Sequence, residues 1–87
     1  MRMAEDIQAA VKSKNAIIGY RESVKSLKTG EARMVIIASN IPESMSEDMK
    51  RNAKAAGISL EVFDGSSRDL GTACGKPFPV AAMVIKG

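Results

Sequence analysis

Histidine and tryptophan are absent from this chain, and cysteine occurs once. The lack of histidine removes both the commonest general base and the commonest metal ligand. A lone Cys74 cannot close an internal disulfide, and one cysteine without histidine does not assemble a transition-metal site. Its small and apolar neighbours mark it as a buried spacer. Aromatic residues make up only 3% of the chain, so the core must be built from Ile, Val, Leu, Met and Ala. No apolar run approaches the roughly 20 residues of a membrane span. The N-terminal stretch carries Glu5, Asp6 and Lys12 in place of a signal peptide's long apolar segment. These absences predict a protein that is not an enzyme, with no cofactor, no metal, no small-molecule substrate and no membrane partner, and a cytoplasmic location.

What is present suits one small domain over residues 1–87 with a thin core. Hydrophobic residues at 45% and charged residues at 26% are ordinary for a soluble globular protein. The formal charge of +3 is compatible with a polyanionic partner, but many proteins without one share it.

Periodicity and punctuation outline eight elements. Ala4 to Ser13 reads as a helix with Met3, Ile7, Ala10 and Val11 on its apolar stripe, broken by Lys14 and Asn15. A short strand, Ala16 to Ile18, leads into a second helix that Gly19 opens and Thr29-Gly30 closes. Met34 to Ala38 is apolar without alternation, as in a strand covered on both faces. After a turn at Ser39–Pro42, Ser44-Met45-Ser46-Glu47 matches a capping box, with Met45, Met49, Ala53 and Ala56 facing inward and Gly57 as the stop. Ile58 to Phe63 is a third strand. Ser66 with Asp69 gives a weaker cap signal for a short helix from Ser67 to Cys74, and Val80 to Ile85 is the last strand. This alternation predicts the α/β class: a three-layer α/β/α sandwich with a four-stranded mixed sheet.

Catalytic motifs fail on inspection. Gly71-Thr72-Ala73-Cys74-Gly75-Lys76 superficially matches a phosphate-binding P-loop. Its glycines enclose three residues where four are needed, Pro77 stands where a magnesium-holding Ser or Thr belongs, and the lysine heads into a strand. Glu43, Glu47 and Asp48 cluster at a helix start, where dipole stabilisation explains them better than acid–base chemistry.

Two stretches point to binding. In the Gly19–Lys28 helix, Tyr20, Val24 and Leu27 share one face. Arg21, Lys25 and Lys28 form a basic row about 100° further round. Gly19 permits close backbone approach, and unpaired first-turn N–H groups favour an anion. Glu22 would repel phosphate but could accept from base-edge donors. A solvated amphipathic helix accounts for the same pattern. The second stretch is Phe78, held between Pro77 and Pro79. A rigid exposed ring there would suit base stacking, while a buried one would plug the core.

Three stretches carry a resemblance over nearly the whole chain: Ile17–Gly30, Val35–Pro42 and Asp69–Val80. Together they resemble the archaeal and eukaryotic large-subunit ribosomal protein family L-thirty-e, of the kink-turn RNA-binding superfamily that includes L-seven-Ae. The resemblance implies an RNA-binding protein without catalytic activity, whose partners are a kink-turn, rRNA, and the ribosome or another ribonucleoprotein. Matched residue by residue, it implies an RNA-binding set of Gly19, Arg21, Glu22, Lys25, Lys28, Asn40, Lys76, Phe78 and Val80. Glu22 and Lys25 match the acid and lysine that read guanines and phosphates. Asn40 matches an RNA-contacting asparagine, and Phe78 and Val80 match the loop on which flipped bases pack. Arg21 departs from the asparagine of the archetypal superfamily member. The reading from a different class is a structural or protein-interaction module that keeps the fold without RNA.

Overall fold

The computed structural model describes residues 3–86. Helices and strands alternate as α1 (Met3–Lys12), β1 (Ala16–Ile18), α2 (Tyr20–Thr29), β2 (Ala32–Ile37), α3 (Glu43–Ala56), β3 (Ser59–Val62), α4 (Ser67–Ala73) and β4 (Ala82–Lys86). The side chain of Met3, assigned to the first helix's stripe, lies outside the described residues. Ile7 and Ala10 of that stripe are buried, and the left-handed Lys14 (φ 61°) ends the helix region.

The strands form one mixed sheet in the order β1-β4-β2-β3. β4 is antiparallel to both β1 and β2, and β2 is parallel to β3. Both sheet faces are covered, which explains the unbroken apolar run in β2. Val35 and Ile37 pack with Leu27, Met49, Ala53 and Val84. Ile36 and Ala38 point the other way, toward Ile7, Leu70, Cys74 and Met83. Helices α2 and α3 therefore lie on one face and α1 and α4 on the other. Because β1, β2 and β3 run in one direction and each is followed by a helix, the starts of α2, α3 and α4 gather at one end of the sheet. β4 begins at that same end.

Local signals were legible unevenly. Gly30 and Gly57 adopt left-handed caps and end α2 and α3 as their positions predict. The capping box expected at Ser44 does not form. The N-cap of α3 is Pro42, without a side-chain cap, and its carbonyl accepts from Met45 and Ser46 N–H. Ser44 then lies inside the first turn, where its hydroxyl cannot reach forward as an N-cap does. Ala56 is exposed, so the inward stripe of α3 stops at Ala53. The weaker signal at Ser66 is the one that forms a full box: Asp69 N–H donates to Ser66 Oγ at 3.3 Å, and Ser66 N–H donates to Asp69 Oδ2 at 3.0 Å. The buried row of α2 also differs from expectation. It runs through Ser23, Ser26 and Leu27, while Tyr20 and Val24 are half-buried beside it. Serine is small enough for this face, and Ser23 Oγ donates to Gly19 O at 2.6 Å.

Candidate nucleic-acid interface

A single residue joins β1 to α2. Gly19 takes φ 117°, ψ 148°, a conformation that L side chains rarely adopt, so the chain can turn there only because no Cβ is present. Its N–H donates to Ala82 O at 2.9 Å, locking the turn to β4. No side chain caps the helix start, and a Cβ built on Gly19 would meet nothing within 4 Å. The turn therefore presents open backbone and the positive end of the α2 dipole to whatever lies in front of it.

The loop from α4 to β4 lies alongside. It folds back against its own helix: Lys76 N–H donates to Gly71 O at 2.9 Å, and Val80 N–H donates to Ser67 O at 2.9 Å. The contact is closest at Gly71, where an added Cβ would come to 2.1 Å from the Phe78 carbonyl oxygen. Val80 is 2% exposed and packs in the core with Leu70, Cys74 and Met83. β4 consequently begins at Ala82 and not at Val80, because the Val80 N–H is turned toward α4. With its neighbours anchored on both sides, Phe78 is left 52% exposed and does not plug the core.

These two loops line one open groove, formed by Ile18, Gly19, Tyr20, Lys76, Phe78, Pro79, Val80 and Ala81 together with Ala16. A cation, an exposed aromatic ring and an uncapped helix start thus share one concave surface. Tyr20 also lines a second groove, between α2 and α3, with Arg21, Val24, Lys28, Asp48, Arg51 and Asn52. Glu22 and Lys25 are exposed on the outward side of α2 and line neither groove. The Tyr20 hydroxyl donates to Asp48 Oδ2 at 3.4 Å. Burial of the ring, then the Asp48 charge, raise the phenol above its ordinary pKa, which keeps it a neutral donor. Burial likewise raises the Cys74 thiol, against a smaller lowering by Lys76, so Cys74 is a weak nucleophile.

Asn40 stands at the same end of the sheet but is engaged within the chain. Its Oδ1 accepts from Ser67 N–H at 2.7 Å, which ties the turn after β2 to the start of α4. Two residues of the site escaped the sequence reading. Tyr20 counted only as part of an inward stripe, although a polar-tipped ring in a helix's first turn is a recognisable signal. Gly71 was weighed only as a failed P-loop glycine. A glycine inside a helix that gains nothing from flexibility is the sign of close backbone approach. Among the described residues, no group of three or more His, Cys, Asp or Glu side chains could hold a metal ion, and no helix is long and apolar enough to cross a membrane.

Comparison with known proteins finds relatives both in sequence and in fold. The chain is 41% identical over 86 residues to the large ribosomal subunit protein eL30 of Methanothermobacter thermautotrophicus, covering 99% of this chain and 88% of the relative. It is 39% identical over 85 residues to eL30 of Methanocaldococcus jannaschii, covering 98% and 77%. The fold matches that of a Giardia lamblia 15.5kD RNA binding protein with a TM-score of 0.88 at 22% identity, covering 98% of this chain and 71% of that one. The profile of the ribosomal protein L7Ae/L30e/S12e/Gadd45 family matches residues 1–87, and the chain belongs to that family.

Proposed function

We propose that this protein binds rRNA as a component of the large ribosomal subunit, and that it recognises a kink-turn or similarly bent element without catalysing a reaction. The observation that carries the reading is the shared groove. Gly19 and the α2 start form one wall, and Lys76 and Phe78 form the other. A sharply folded strand brings phosphates and an unstacked base close together, and this surface offers a partner for each. The helix start and Lys76 face phosphate. The Phe78 ring offers a stacking platform for a base turned out of the helix. Arg21, Lys25 and Lys28 extend the positive surface along α2, and Glu22, exposed on the outward side of that helix, would accept from base-edge amino groups only of RNA that reaches past the groove. Asn40 has its amide N–H groups and one remaining lone pair of Oδ1 to offer while that oxygen accepts from Ser67 N–H. The names of the eL30 relatives support the ribosomal setting.

Gel-shift titration against a kink-turn RNA and a straight duplex of equal length tests this directly. The kinked RNA is expected to bind more tightly, and Phe78→Ala to weaken that binding by roughly 1–3 kcal/mol. Equal affinity for the two RNAs would sink the reading.

A further inference from the structure

The groove between α2 and α3 holds two of the basic residues just named, Arg21 and Lys28, and adds Arg51 from α3. Resting on that reading, we propose that it is a second phosphate track, along which the backbone of a duplex arm runs as it leaves the bent element. Three observations carry it. First, the two grooves adjoin at Tyr20, which lines both. RNA seated against Gly19 and Phe78 therefore has a path around the Tyr20 ring and along α2. Second, the lining is electropositive: Arg21 and Lys28 contribute from α2 and Arg51 from α3, against the single carboxylate Asp48. Arg21 and Lys28 are seven residues apart, about 10 Å along the helix, so the two cations can meet different phosphates of one strand.

Third, the one carboxylate is already engaged in a way that aims the opposing cation. Asp48 Oδ1 accepts from Arg51 Nη1 at 3.2 Å, and Oδ2 accepts from the Tyr20 hydroxyl. Asn52 Nδ2 donates to the Asp48 carbonyl at 2.9 Å. The Arg51 side chain is still 75% exposed. An exposed ion pair contributes little to stability. What it does here is hold a guanidinium at the groove's edge with most of its N–H donors open, the geometry suited to a phosphate.

The test compares salt dependence on two RNAs, a kink-turn with short arms and the same kink-turn with both arms lengthened. The native protein is set against a double variant, Asp48→Asn with Arg51→Gln. The double variant removes one charge of each sign, so the net charge is unchanged and a general field effect is excluded. Both side chains are exposed, and a thermal melt confirms that the fold is kept. On the long-armed RNA the slope of log affinity against log salt is expected to fall by about 0.7–0.9 in the double variant, the loss of one neutralised phosphate. On the short-armed RNA the slope should stay native. A native slope on both RNAs, or an equal loss on both, overturns the track. Native preference for kinked over straight RNA is read in the same titrations, so failure of the parent reading is seen separately.

Discussion

The two loops that build the groove do similar work by opposite means. The β1–α2 connection is one residue long and is fixed by backbone conformation: Gly19 has a positive φ and empty space where a side chain would go. The α4–β4 connection is long and is fixed by packing. Gly71 needs no unusual conformation, but the Phe78 carbonyl occupies the place of its missing Cβ. One glycine is required because of its own torsion angles, the other because of a neighbour seven residues away. The first loop therefore exposes bare backbone, and the second projects a side chain, Phe78, from an anchored base.

Substitution at each glycine should separate these causes. The largest effect is expected for Gly71→Ala. Overpacking against backbone has no flexible side chain to absorb it, and a loss of about 3 kcal/mol, the upper end of the usual range, should appear in chemical denaturation. Native-like stability would show that the loop is not held by close approach. Gly19→Ala should cost about 1–3 kcal/mol, and less than Gly71→Ala, because only backbone strain is introduced and nothing is struck. A Gly19 loss exceeding that of Gly71 would reverse the comparison. The smallest expected effect concerns the anchor of the second loop. Ser66→Ala should cost about 1 kcal/mol through loss of a true N-cap, whereas Ser44→Ala should leave stability within about 0.5 kcal/mol of native. Equal losses at Ser66 and Ser44 would show that the α4 cap contributes nothing particular to this loop.

Much of this was legible from the chain before any coordinates. The glycine stops at Gly30 and Gly57 act through local torsion angles, and the apolar run in β2 implies cover on both faces. The basic row on α2 follows from helical spacing. The less legible parts depended on contacts between distant residues. Ser44 and Ser66 each carry an acidic residue three positions on, and nothing within four residues tells which serine stands outside its helix. Phe78 between two prolines fits either a plug or a platform. Its exposure follows from the burial of Val80 and the contact at Gly71, neither of which is encoded next to Phe78. Asn40 was read as an RNA contact, and nothing near it in sequence announces its bond to Ser67, which joins residues 27 apart.

The sequence by itself determined the order of elements, the two-sided cover of the sheet and the charge along α2, because these follow from side-chain periodicity and local backbone preference. Only the tertiary structure decided that a one-residue turn and a packed return loop share a groove, and that Tyr20 borders both that groove and another. Those outcomes depend on which strands pair and how closely α4 approaches its own return loop. They are set by excluded volume between residues that are remote along the chain.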